Sequence, residues 1–170
     1  ASNINSLISS IQQAKEEKKG NDGSLLLAVA HLIHNVPKVV VVGEVERLFP
    51  LVVSVLTADS ATAGTDLILA ALKTTETLLV EAKEQMAKYL STIVPVLLRL
   101  SLLKSSAKVR MTALQCIAVL TSYPYPAIFP IKQTIINGLE KSLDDPKRPV
   151  RRLAVKVRNE WFILSKDGGL

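Results

Sequence analysis

The sequence has few of the residues that build disulfide scaffolds, metal centres and membrane spans. It holds one cysteine in 170 residues, so no internal disulfide can form, and the chain suits a reducing compartment. No apolar run approaches the roughly 20 residues that a membrane-spanning helix requires, and no basic segment with an apolar core opens the chain as a secretory signal would. We therefore expect neither a disulfide framework nor a membrane protein.

Catalytic and metal-binding patterns are equally scarce. His31 and His34 stand three apart on one predicted helix, but no further His, Cys or carboxylate follows at zinc-ligand spacing. An iron–sulfur cluster generally takes four protein ligands, mostly thiolates, and Cys116 is predicted instead to be a small buried hydrophobe. Glycine-rich phosphate loops and nucleophile–base arrangements are missing too. The sequence thus predicts no enzyme, no cofactor and no metal site.

Charge is concentrated at one end of a chain that is poor in aromatic residues. The net charge is +6, and residues 131–170 contribute +4 of it, with nine Lys/Arg against five Asp/Glu. Aromatic residues make up 4% of the chain. The chain begins at Ala1 rather than at a methionine, so we expect a fragment of a longer protein.

What the sequence does contain is a repeat of about 41 residues. Its second helices align on an apolar residue followed four positions later by alanine, at Leu26/Ala30, Leu67/Ala71, Val109/Ala113 and Val150/Ala154. Prolines recur inside the first helices, at Pro50, Pro95 and Pro130, and each is expected to bend its helix. An unrelated helical bundle with coincidental spacing is the alternative that these matches argue against.

This period resembles that of HEAT repeats, and so does the motif Val-Arg-x-x-Ala, which occurs at Val109 to Ala113 and at Val150 to Ala154. We therefore predict an all-α, HEAT-repeat (armadillo-like) solenoid of about four helix pairs, forming one domain over residues 1–170. The pairs are predicted at about 3–36, 43–82, 84–122 and 127–165, with a first helix of the third pair running from Glu84 to Leu103.

The C-terminal stretch carries a more specific resemblance. The residues concerned are Lys132, Leu139, Lys141, Leu143, Asp144, Asp145, Lys147, Arg148, Val150, Arg151, Ala154, Val155, Arg158, Trp161 and Phe162, with Val109-Arg110 and Ala113 to Cys116 in the preceding repeat. Together they are similar to the C-terminal end of the MMS nineteen proteins, a family of large HEAT-repeat adaptors of cytosolic iron–sulfur protein assembly.

This resemblance implies a non-catalytic adaptor of the iron–sulfur targeting complex. Its expected partners are cytosolic iron–sulfur assembly component two B, the WD-propeller subunit, and apo iron–sulfur clients such as DNA helicases and polymerases. Clusters would be delivered to DNA repair and replication proteins, in the cytoplasm and the nucleus, without being ligated by this chain.

The last helix divides into two stripes at about 100° per residue. The inner stripe, predicted to be buried, comprises Val150, Leu153, Ala154, Val157, Trp161 and Leu164. Trp161 is assigned to the core, where its indole N–H needs an acceptor. The outer stripe comprises Arg151, Val155, Arg158 and Phe162, a mixture of arginine and apolar groups typical of interface hot spots. A solvated cap face with one stray aromatic is the alternative.

The turn before this helix, Asp144 to Pro149, contains two aspartates that can accept backbone N–H bonds and a proline suited to a first helical turn. A structural role is favoured for Asp144, whereas Lys147 and Arg148 fit either a turn or a contact. The predicted partner-binding residues are therefore Lys147, Arg148, Arg151, Arg152, Val155, Arg158 and Phe162.

Two other functions remain open. The basic end suits nucleic acid, because a positive helical groove neutralises phosphates, although Asp144, Asp145 and Glu160 are interspersed with the cations and few aromatics are available for base stacking. A transport-receptor or phosphatase-type scaffold would share the repeat fold but not the wording of the C-terminal stretch.

Overall fold

The computed structural model describes residues 42–58 and 64–164, and in these ranges the chain is all α-helical, without strands. The α-helices are α1 (Val45–Thr57), α2 (Thr65–Glu81), α3 (Lys83–Ala87), α4 (Leu90–Leu100), α5 (Ala107–Val119), α6 (Tyr125–Gly138) and α7 (Arg148–Ile163). Short 3₁₀ turns follow α5 at Leu120–Ser122 and α6 at Glu140–Asp144. The chain divides into two compact units, residues 1–82 and residues 83–170.

In the described residues of the first unit, α1 packs against α2 to form a helix pair. Gly64 precedes α2 with φ of 73°, a left-handed conformation that glycine adopts without a steric cost. Ala71, the predicted crossing alanine of this pair, is buried on α2, and its carbonyl accepts a 2.9 Å hydrogen bond from the buried Thr75 hydroxyl. The small side chain at the crossing is therefore confirmed in this pair.

The second unit contains two helix pairs, one stacked on the other. Helix α4 packs on α5 and α6 on α7, while α6 also contacts α4 and α7 also contacts α5. The two pairs repeat: the buried hydroxyls of Ser101 and Ser142, 41 residues apart, lie 3.3 Å from each other. Equivalent positions of consecutive repeats thus touch, and the helical-repeat fold is confirmed.

The crossing alanines that the structure describes and the helix prolines lie where the repeat predicts them, whereas Leu26 and Ala30 lie outside the described residues. Ala113 and Ala154 are completely buried on α5 and α7. Pro50, Pro95 and Pro130 stand inside α1, α4 and α6, and all three are exposed. An exposed position suits proline, because water can satisfy the carbonyl that loses its intrahelical donor.

The structure corrects one helix of the prediction. The continuous helix expected over Glu84–Leu103 is two helices, α3 and α4, separated by a turn at Lys88 and Tyr89. The apolar pattern conceals this break because Met86, Leu90 and Ile93 are buried on both sides of it.

Helix α6 also begins two residues before the predicted Ala127. Pro126 lies in its first turn, where a missing N–H has no intrahelical acceptor to lose. The four-pair, single-domain organisation stays a prediction, because its first pair, over residues 3–36, lies outside the described residues. None of the helices described is long and apolar enough to cross a bilayer.

Candidate protein-docking surface

The inner stripe of α7 packs into the second unit largely as its sequence predicts. Val150, Ala154, Val157 and Trp161 are completely buried, whereas Leu153 and Leu164 are half-buried. Trp161 donates its indole N–H to the carbonyl of Ile117 on α5 over 3.2 Å. The predicted core role of the tryptophan and its need for an acceptor are both confirmed, and this contact ties the last pair to the one before it.

A buried ion pair joins the same two repeats at the other end of α7. Arg110 Nε lies 2.6 Å from Asp145 Oδ2 as a close ionic contact, and Arg110 Nη2 donates to Asp145 Oδ1 over 3.1 Å. The guanidinium also donates to the carbonyl of Leu103 over 2.9 Å. Both side chains are almost fully buried, so their charges neutralise each other away from water.

Asp145 rather than Asp144 organises the turn before α7. Its Oδ1 accepts the backbone N–H of Lys147 over 2.8 Å, while Asp144 is exposed. The structural role predicted for Asp144 therefore belongs to its neighbour. Pro149 lies in the first turn of α7, as predicted.

The arginines of the outer stripe are held by backbone carbonyls. Arg151 Nη1 donates to the carbonyl of Asp145 over 2.6 Å, and Arg158 Nε donates to the carbonyl of Ile136 on α6 over 3.1 Å. The Arg158 guanidinium also lies over the Phe162 ring, 4.8 Å from its centroid, in a cation–π contact. These bonds fix two cations beside exposed apolar groups.

All seven predicted partner-binding residues are accessible. Val155 is 46% exposed and Phe162 is 51% exposed. The other five are the cations Lys147, Arg148 and Arg152, which are exposed, and Arg151 and Arg158, which are half-buried. The structure brings Arg151, Arg152 and Val155 together with Leu143 and Lys156 around a shallow groove of about 450 Å³, whereas Lys147 and Arg148 lie at the turn and do not line it.

Two exposed apolar residues near the end of α7 were missed by the sequence prediction. Ile163 is 59% exposed on α7, and Phe129 is 62% exposed on α6, where its ring lies 5.5 Å from that of Tyr125. Lys132 of α6 donates to the carbonyl of Leu164 over 2.5 Å, which ties α6 to the end of α7. The sequence signal for Ile163 and Phe129 is weak: each is an apolar residue that helical phase places off the buried face of its helix.

Metal-binding chemistry is not assembled in the described part of the chain. No group of three or more His, Cys, Asp or Glu side chains lies there in a position to hold an ion. Cys116 is completely buried on α5, which confirms the prediction of a small buried hydrophobe. His31 and His34 lie outside the described residues.

Fold and surface together define an all-α helical-repeat protein that exposes arginine and apolar groups on its last described helix. A family model described as RNAPII transcription regulator C-terminal, the C-terminal family of MMS19, matches residues 1–121. The chain belongs to this family, which confirms the resemblance.

Curated relatives carry the same name. The MMS19 nucleotide excision repair protein homolog of Homo sapiens is 35% identical over 166 residues, which cover 98% of this chain and 15% of the relative. The homolog of Bos taurus is 34% identical over the same shares. The DNA repair/transcription protein mms19 of Schizosaccharomyces pombe is 31% identical over 147 residues, 85% of this chain and 14% of the relative. The chain thus spans about 15% of the length of these relatives.

Proposed function

We propose that this chain is the C-terminal docking part of a DNA-repair- and transcription-related protein that acts as a non-catalytic adaptor in cytosolic iron–sulfur protein assembly. It docks cytosolic iron–sulfur assembly component two B, with the WD-propeller subunit behind it. Through these subunits, clusters reach apo clients such as DNA helicases and polymerases in the cytoplasm and the nucleus.

The observation that carries this proposal is the composition and exposure of the outer stripe. Two arginines held in place by backbone carbonyls flank Val155, and one of them stacks on Phe162. Arginine and aromatic groups are the residues enriched at interface hot spots, and pre-positioned side chains lose less entropy on binding. The stripe therefore offers a preformed surface for another protein.

Family membership supports the DNA-repair- and transcription-related part of the proposal, and cysteine usage supports a role without cluster ligation. The relatives' printed names refer to nucleotide excision repair and to DNA repair and transcription. Cys116 is the one cysteine of the chain and is buried, whereas a cluster generally takes four protein ligands. The chain accordingly acts in delivery through its partners.

Co-purification with the assembly subunits tests the proposal. The double variant Arg152→Glu with Phe162→Ser reverses one exposed charge and removes one exposed aromatic, and it should reduce recovery of the subunits about tenfold or more. The matched control is Lys73→Glu with Val80→Ser, which makes equivalent changes at exposed positions of α2 in the first unit. Circular dichroism should show unchanged helix content in both variants. Full recovery of the subunits with the α2 variant, together with their loss from the α7 variant, supports the surface assignment. Full recovery of the subunits with the α7 variant would contradict it.

Salt dependence separates this function from nucleic-acid binding. Arg151, Arg152 and Lys156 line the groove beside α7, and three such cations would give a duplex oligonucleotide a binding site of marked salt sensitivity. The adaptor proposal expects subunit recovery to persist between 50 and 200 mM salt, roughly the interval in which phosphate-driven affinity falls steeply. Tight oligonucleotide binding that collapses in this interval would favour the nucleic-acid alternative.

A further inference from the structure

The repeat allows α5 and α7 to be compared position by position. A shift of 41 residues, the separation of the touching Ser101 and Ser142, aligns Arg110 with Arg151, Leu114 with Val155 and Ile117 with Arg158. Each helix therefore carries the same three positions on the same face. On α5 this face is covered by the following repeat, whereas on α7 Val155 is exposed and Arg151 and Arg158 are half-buried.

The covered state on α5 shows what such a face binds. Arg110 is paired with Asp145 from the turn of the next repeat, and the carbonyl of Ile117 accepts the indole N–H of Trp161 from its helix. Leu114 lies between these two contacts on the same face and is completely buried. The occupant of the α5 face is thus a turn that supplies a carboxylate, followed by a helix, α7, that packs against α5 and carries a fully buried apolar stripe.

Arg151 on α7 repeats one half of this arrangement. Arg110 Nη1 lies 3.4 Å from the carbonyl of Lys104, six residues before it, and Arg151 Nη1 donates over 2.6 Å to the carbonyl of Asp145, also six residues before it. The other half, a carboxylate on the guanidinium, is supplied to Arg151 by none of the residues in 42–58 and 64–164. The arginine is oriented as in the occupied repeat and keeps donors to offer.

We propose that the outer stripe binds a protein partner through a carboxylate-bearing turn followed by an apolar helix, with the partner's carboxylate on Arg151 as Asp145 is on Arg110. This inference rests on the proposed function, because it describes how the same surface is occupied. Arg151, Arg152 and Lys156 line the adjoining groove with no acidic residue among its lining, so an acidic turn is complementary in charge.

The residues that differ between the equivalent faces of α5 and α7 favour a separate protein, rather than a permanently packed repeat, as the occupant of the α7 face. Arg158 and Val155 stand where the covered repeat has Ile117 and Leu114, so the face keeps a charge and a smaller apolar group. Lys156 is exposed beside them and lies 3.9 Å from Glu160, a pair that solvent screens. A face that must be soluble before its partner arrives is expected to have such a mixed composition.

Photo-crosslinking identifies the occupant by its chemistry. The full chain, with the photo-reactive residue benzoylphenylalanine in place of Val155, is irradiated in cell extract, and the crosslinked segment is sequenced by mass spectrometry. The expected segment is a helix of another protein that starts within a few residues after an aspartate or glutamate in a turn. A crosslinked segment without such a carboxylate, a second copy of this chain, residues 165–170 of the same chain, or no protein crosslink at all would overturn the proposal.

Affinity for the captured segment, made as a synthetic peptide, tests the role of Arg151 itself. Arg151→Lys keeps the charge but loses the planar fork, so affinity should fall about tenfold. Arg99→Lys, the same exchange at an exposed position of α4 away from the groove, should change affinity less than about twofold. Replacing the segment's carboxylate with its amide should weaken wild type about tenfold and leave Arg151→Lys nearly unchanged, because the two changes remove one interaction. Equal affinities for wild type and Arg151→Lys would overturn the proposal.

A second variant tests the same surface in case Arg151→Lys weakens binding by destabilising the fold. Val155→Glu changes an exposed side chain, and its added carboxylate should repel the partner's and abolish binding while the melting temperature stays unchanged. Unchanged binding by this variant would also overturn the proposal. Capture of a protein that is not an assembly subunit, through a carboxylate-bearing turn and an apolar helix, would contradict the proposed function and support this inference. Capture of an assembly subunit through a segment of other chemistry would do the reverse.

Discussion

Asp145 performs three tasks in its turn, two through its carboxylate and one through its backbone carbonyl. Its carboxylate neutralises the buried Arg110 and accepts the backbone N–H of Lys147, and its own carbonyl accepts from Arg151. One residue thereby links the start of α5, the turn and the start of α7, through its carboxylate and its backbone carbonyl. The cost of removing it is dominated by the charge left behind on Arg110, because that charge is buried.

We expect Asp145→Ala to lower the free energy of unfolding by about 3–5 kcal/mol, the range found when one partner of a buried ion pair is removed. Urea unfolding followed by circular dichroism measures the change. Asp144→Ala is the matched control, and because Asp144 is exposed it should stay within about 0.5 kcal/mol of wild type. Similar unfolding midpoints for the two variants would contradict the assignment of the structural role to Asp145.

Helix α7 depends on a small residue at its closest approach to the rest of the second unit. Ala154 is completely buried, and the neighbouring position, Val155, is turned outward. Two adjacent residues of one helix thus face a packed interior and solvent, so added side-chain volume should destabilise the protein at Ala154 and be tolerated at Val155.

Ala154→Leu should cost about 1–3 kcal/mol, because added methylenes force neighbouring side chains or the backbone to shift. Val155→Leu, a change at the adjacent exposed position, should stay within about 0.5 kcal/mol. Thermal and urea unfolding of the two variants gives the comparison. An unchanged stability of Ala154→Leu would show that the crossing has room and that the packing described for α7 is wrong.

The sequence was sufficient for features that depend on periodicity and insufficient for those that depend on local backbone geometry. The spacing of alanines and the inner stripe identified the second helices and the burial of Trp161 and Cys116, because burial follows helical phase. The break at Lys88 and Tyr89 was missed because apolar residues remain in phase on both sides of it. The choice of Asp145 over Asp144 was missed because it depends on the dihedral angles of the turn.

The candidate surface was predictable in composition but not in arrangement. The outer stripe follows from helical phase alone, whereas the contacts of Arg151 and Arg158 with backbone carbonyls join residues 6 and 22 positions apart through the fold. The Arg110–Asp145 pair spans 35 residues. The arginine of this pair could be recognised, since the repeated Val-Arg-x-x-Ala motif marks Arg110 and Arg151 as equivalent. Its acidic partner could not, because Asp145 comes from the following repeat.

At the scale of the whole molecule, the contacts that join the last two helix pairs all lie within the second unit. The Ser101–Ser142, Arg110–Asp145 and Trp161–Ile117 contacts each connect residues between 83 and 170. The second unit therefore contains the interactions that hold the α6–α7 pair against the α4–α5 pair.

We expect the fragment of residues 83–170 to fold without the first unit, because its size suffices for a small hydrophobic core. Trp161, the one tryptophan of the chain, is completely buried, so its emission should be blue-shifted in the fragment as in the full chain. A single cooperative transition by fluorescence and circular dichroism should accompany urea unfolding. Tryptophan emission typical of an exposed indole would contradict this autonomy.

The burial of Cys116 has a practical consequence for following this protein in solution. A thiol-reactive dye can reach its one sulfhydryl only when α5 is uncovered, since the side chain has no exposed surface. The rate of alkylation therefore reports how often the second unit opens, without any engineered label. A bound partner that clamps the last two helix pairs together would slow this reaction in proportion to its occupancy.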